Sequence, residues 1–105
     1  LSLMDSYARG IAGTIPGMEF LEQVICVWKA LQKGDVDAAY RAWFPLCALV
    51  SLQLQAGLDG FLAVEKYIMK RKGLFSTDRR RQPYEWEMDK ETCLELERLL
   101  RFLSH

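Results

Sequence analysis

The stretch from Gly10 to Asp35, GIAGTIPGMEFLEQVICVWKALQKGD, changes its periodicity once, and that change decides the fold. Residues Gly10 to Ile15 are short, glycine-flanked and partly β-branched. They stop at Pro16-Gly17, a turn signal, and predict one short strand. From Met18 to Lys33 the apolar positions Phe20, Leu21, Val24, Ile25, Trp28 and Leu31 recur at three and four residues. They predict an amphipathic helix with Gly34 as its stop. A lone strand cannot satisfy its own backbone groups, so the first segment reads as made to pair with strands outside this sequence.

Downstream the pattern stays helical. Asp35 offers an N-cap carboxylate for a helix from Val36 to about Gln55, with Val36, Tyr40, Trp43, Phe44, Cys47 and Val50 on its inner side and Pro45 as a kink. Beyond Pro45 the residues Leu46, Leu49, Val50, Leu52 and Leu54 surround the helix, which predicts cover on every side. Asp59 is placed to cap a third helix over residues 60–71, with Phe61, Val64 and Ile68 inward and Gly73 as terminator. Residues 74–87 read as a connector. Asp89 with Thr92 opens a last helix, striped by Cys93, Leu96, Leu99, Leu100 and Leu103. No internal repeat or low-complexity run interrupts this order.

Composition narrows the function classes. At 105 residues and 50% apolar the chain can build a core, although a chain of this size has little stability to spare. Fourteen basic and fourteen acidic side chains cancel, so no overall field draws it to nucleic acid or to an anionic membrane. The apolar run from Trp43 to Val50 is far short of the roughly 18 residues that span a bilayer. Cys26, Cys47 and Cys93 are odd in number and widely spaced, which fits buried free thiols in a reducing cytoplasm rather than a disulfide framework or metal site. His105 is the only histidine, so no His-based triad or zinc cluster arises, and no metal or cofactor is expected. The first residue is Leu1 rather than Met, which hints at a segment removed upstream.

An ordered set of short strings suggests a family. Gly10 to Gly17 is followed by a helix ending in Lys33-Gly34-Asp35, then by Ala38-Ala39 and Phe44-Pro45-Leu46. Further on stand Val64-Glu65-Lys66, Lys72-Gly73-Leu74 and Arg81-Gln82-Pro83. In order and spacing this resembles the C-terminal part of the dihydrodipicolinate synthase and N-acetylneuraminate lyase family, from about Met4 to Leu103. The resemblance implies a piece of a (β/α)8 TIM barrel: residues 1–34 as the tail of the seventh helix, the eighth strand and the eighth helix. Residues 35–105 would form an appended three-helix bundle. It also implies a cytoplasmic lyase acting on pyruvate or another 2-oxo acid through a lysine Schiff base, with a dimer or tetramer as the assembly. The Schiff-base lysine, the proton-shuttling tyrosine and the carboxylate-gripping loop of that family all precede the part present here. No catalytic residue is therefore expected in this chain, and Lys66 reads as a surface or structural lysine.

Active sites of such barrels lie at the C-terminal ends of the strands, where Gly13, Thr14 and Ile15 would sit. Thr14 is the candidate substrate contact, with Ala12 and Gly13 beside it, set against its plainer reading as a β-branched strand residue. Arg79, Arg80 and Arg81 offer an anion site, with a solvated loop as the alternative, and Tyr84 and Trp86 beside them make no nucleic-acid platform. The carboxylate pairs Glu19/Glu22 and Glu95/Glu97 have the spacing of helix-surface charges. Two function classes result: the C-terminal portion of a lyase, or a truncated, inactive helical module that self-associates or binds a partner.

Overall fold

The computed structural model describes residues 2–55 and 57–103. Five α-helices follow one another: α1 (Leu3–Ala8), α2 (Leu21–Gln32), α3 (Val36–Leu54), α4 (Gly57–Arg71) and α5 (Lys90–Leu103). A short 3-10 turn, Met18–Phe20, leads into α2. The caps follow the sequence. Asp35 Oδ1 accepts from the Ala38 N–H at 3.1 Å and Asp89 Oδ1 from the Thr92 N–H at 2.8 Å, each satisfying an N–H that a helix start leaves unpaired. Gly34 and Gly73 end α2 and α4 with φ of +79°, a left-handed conformation that glycine adopts without a Cβ clash.

The long helix α3 is the centre of the fold, and α2, α4 and α5 pack against it. Its buried face carries Ala39, Trp43, Leu46, Leu49 and Gln53. Val27 and Leu31 of α2, Val64 and Ile68 of α4, and Leu96 and Leu100 of α5 close on that face. Helix α1 leans on α2 through Tyr7, whose ring stands edge-on to Trp28 at 5.0 Å between centroids.

Several expectations need correction. Residues 11–17 belong to no helix, and no strand is formed among the described residues, because a strand exists only by pairing and nothing here pairs with them. The inner face of α3 was expected to hold Val36, Tyr40 and Phe44; all three are exposed. A helix apolar on all sides gives no periodic signal of which face turns inward, and three neighbours choose it instead. The cover expected around the second half of α3 is incomplete, since Leu54 is exposed. Helix α4 begins at Gly57 rather than at residue 60, so Asp59 does not cap it; its carboxylate accepts the Glu85 N–H at 2.9 Å and ties the connector to α4. Cys26, expected inside, is exposed, while Cys47 and Cys93 are half-buried.

The chain leaves much surface uncovered. Its accessible area is 7166 Å², against about 6,000 Å² for a compact monomer of the same mass. The radius of gyration is 14.7 Å, against about 13 Å for a compact domain of this length. No helix among the described residues is long and apolar enough to cross a membrane.

Candidate functional site

The segment after α1 borders a cleft of about 340 Å³. Phe20, Val24, Trp43, Leu46, Val50 and Phe61 give it apolar walls, and Ile11, Thr14 and Gly17 form an exposed rim. Two polar side chains are sunk into this apolar setting. Gln53, at the end of the buried face of α3, is 1% exposed, and neither its Oε1 nor its Nε2 has a hydrogen-bond partner. Glu19, in the turn before α2, is 4% exposed, and its Oε2 has none. Both line the cleft.

Glu19 is held by its surroundings. A Cβ added at Gly17 would collide with Glu19 Oε2, so the glycine supplies the space in which the carboxyl group folds back over the chain. The Lys72 ammonium donates to the Glu19 backbone carbonyl and lies over the Phe20 ring, 5.8 Å from its centroid. Burial pulls the Lys72 ammonium below the ordinary lysine range, while Glu22 and Glu19 pull it the other way. Burial and the neighbouring Glu19, by charge and by a hydrogen bond, push the Glu65 carboxyl above its usual range. Lys72 does not line the cleft.

The residues expected to touch substrate are adjacent to this cleft. Thr14 lines it, and also lines a second, shallower hollow of about 270 Å³ shared with Ala12, Gly13, Trp28 and Lys29. The arginine cluster divides. Arg80 donates to the Trp86 carbonyl at 2.7 Å and stacks 3.8 Å from the Tyr84 ring centroid, which folds the connector on itself. Arg79 and Arg81 are exposed, and the hollow beside Arg79 also carries Asp78, Glu87 and Asp89, so no net positive site results. Lys66 donates to the Arg79 carbonyl at 3.2 Å, a structural tie between α4 and the connector. Among the described residues no cluster of three metal-ligating side chains occurs. His105 lies outside them.

Sequence reading missed Glu19 and Gln53 for one reason. A polar residue at a helical spacing is indistinguishable from a surface residue until the face is known. The Gly17-x-Glu19 spacing carried a weak signal, since a glycine two residues before a glutamate leaves room for the carboxyl to fold back. Comparison of the chain with protein-family models, curated proteins and solved structures gives no match.

Proposed function

We propose that this chain is the C-terminal portion of a lyase similar to dihydrodipicolinate synthase, acting on pyruvate or another 2-oxo acid through a Schiff-base lysine upstream of Leu1. The observation that carries this reading is the segment between α1 and the turn at Met18. The N–H groups of Ala12, Gly13, Thr14, Ile15 and Gly17 donate to no described residue, and the Ile15 side chain is 100% exposed. A run of such donors outside any helix is free to pair with a neighbouring strand. In the proposed barrel the seventh and first strands supply it, and Thr14 faces the mouth.

The excess of about 1,100 Å² of exposed surface supports the same reading, since one side of a stable interface covers about 800 Å². Exposed Phe44, Leu58 and Phe102 would then be covered by barrel helices or by another subunit, with a dimer or tetramer as the assembly.

The test is the natural gene product. Its mass should be that of a barrel with appended helices, about 300 residues. Incubation with pyruvate and borohydride should fix one reduced pyruvyl group on a lysine upstream of Leu1. A natural product of 105 residues, or a full-length product that gains no adduct with any 2-oxo acid offered, overturns the reading.

A further inference from the structure

We infer that the outer face of α3, built on Val36, Tyr40 and Phe44, is a self-contact on which a second copy of this chain packs antiparallel, about a two-fold axis at Tyr40. The contact uses residues of this chain alone and does not depend on the lyase reading.

Val36, Tyr40 and Phe44 stand four residues apart on α3 and so form one stripe along the helix. None belongs to its buried face, and they are 51%, 39% and 64% exposed. The Tyr40 and Phe44 rings lie against each other, 5.6 Å between centroids, and remain open to solvent. Large aromatic side chains on an exposed face are the residues that protein interfaces favour at their centres. The chain carries about 1,100 Å² more surface than a compact monomer of its mass, and one side of a stable interface covers about 800 Å², so the area that a second copy needs is present.

The charges beside the stripe select the occupant. Asp37 and Arg41 are exposed, adjacent to Val36 and Tyr40, and one turn apart. That spacing allows an ion pair within the helix, yet neither side chain reaches an opposite charge among the described residues. A face with one charge of each sign offers no net field to a strongly acidic or basic partner, and it complements itself once turned through a half rotation. Helix geometry then sets the register. With the axis at Tyr40, Val36 of one copy meets Phe44 of the other. At a rise of about 1.5 Å per residue, Asp37 of one copy and Arg41 of the other are offset by about 3 Å along the helices, within the reach of an arginine side chain. By symmetry this ion pair forms twice.

Sedimentation of the natural gene product over a dilution series reads the association. Asp37→Arg and Arg41→Asp should each weaken it at least tenfold, because each sets like charges opposite one another. The double substitution Asp37→Arg with Arg41→Asp should restore it to within threefold. Circular dichroism checks that each variant folds. A disulfide test needs no change of charge and decides the matter even if the charge variants unfold. In a Cys26→Ser parent, which lacks the exposed native thiol, Tyr40→Cys should give a linked pair of subunits on mild oxidation that the parent does not give. Val36→Cys should not, since its two copies lie about 12 Å apart along the helices, beyond the reach of a disulfide. A gene product that is monomeric at every concentration overturns the self-contact, as do folded charge variants that associate unchanged. A double variant that stays weak, or Tyr40→Cys linking no better than Val36→Cys, also overturns it and gives the face to another helix of the same subunit or to a different protein. None of these readouts involves pyruvate, so the lyase reading stands or falls separately.

Discussion

The Tyr67 hydroxyl of α4 donates to Glu97 Oε1 of α5 at 2.6 Å, and this bond, half-buried, joins two helices that otherwise meet mainly through α3. Arg71, one turn further along α4, adds a second tie, with its Nε 3.0 and 2.9 Å from the two Glu97 oxygens. A short bond to a carboxylate is stronger than a neutral one, and removing its donor leaves Glu97 with Arg71 alone. Tyr67→Phe should therefore cost about 1–2 kcal/mol. Urea unfolding should show a lower midpoint with an unchanged slope; an unmoved midpoint would show that Arg71 alone holds the pair.

The same contact fixes an alkaline response. A hydrogen bond with the Cys93 thiol at 3.5 Å, the bond to Glu97 and burial push the Tyr67 phenol above its ordinary value of 10.0. A raised pKa means that the folded state holds the proton more tightly. The stabilisation is complete below pH 10 and is lost as pH rises beyond it towards the folded value. Of the four tyrosines, one should ionise late in an ultraviolet titration, and stability should fall from about pH 10 upward. Tyr67→Phe should remove both the late step and that part of the pH dependence.

Helix positions were legible because caps and stops are local chemistry. Asp35, Gly34, Gly73 and Asp89 each act within four residues, and each is where the sequence puts it. The start of α4 was misread because Asp59 serves a distant partner, the Glu85 N–H, and no local rule reports that. The break in helical pattern from Gly10 to Pro16 was visible, but a strand needs a neighbour. In the candidate site the resemblance pointed to Thr14, which borders the cleft, whereas Gln53 required knowing which side of an all-round apolar helix turns inward.

Gly17 is required for space rather than for backbone freedom. Its φ of −71° suits any residue, and an alanine at such a position would usually stabilise slightly through the unfolded state. Here the new methyl group would meet the Glu19 carboxyl group, the far end of a flexible side chain at the cleft, which must turn aside from its present position. Gly17→Ala should therefore destabilise modestly, by about 0.5–1.5 kcal/mol, the cost of a displaced rotamer. Gly13→Ala, with nothing within 4 Å of its added methyl, should be nearly neutral. Thermal melts of the pair check the contrast, and equal melting temperatures would contradict it.

Glu65 gives an acid-side prediction with the opposite sign to an ordinary salt-bridged carboxylate. Its pKa is raised, so its contribution is most favourable below the ordinary carboxyl value of 4.5 and declines as pH rises through the folded value. Glu65→Gln should stabilise the fold at pH 7, by less than about 1 kcal/mol because the side chain keeps some solvent access, and so raise the melting temperature. The advantage should shrink towards pH 4. A gain that is constant with pH would point to packing instead of charge.

The last prediction is that the 105-residue chain, alone, forms no Schiff base with pyruvate. A reactive lysine needs an amine that is neutral near pH 7, reach to a pocket and a positioned proton shuttle. Burial pulls the Lys72 ammonium downward, which makes it the strictest test. Its Nζ is engaged with the Glu19 carbonyl and the Phe20 ring, and it does not line the cleft that holds Gln53. Lys29 borders the shallow hollow beside Thr14, but it is exposed and has no buried acid or phenol among that hollow's walls. Incubation with pyruvate and borohydride should leave the mass of the isolated chain unchanged. Stoichiometric labelling that Lys72→Arg abolishes would locate Schiff-base chemistry in this chain and displace the upstream lysine from the mechanism.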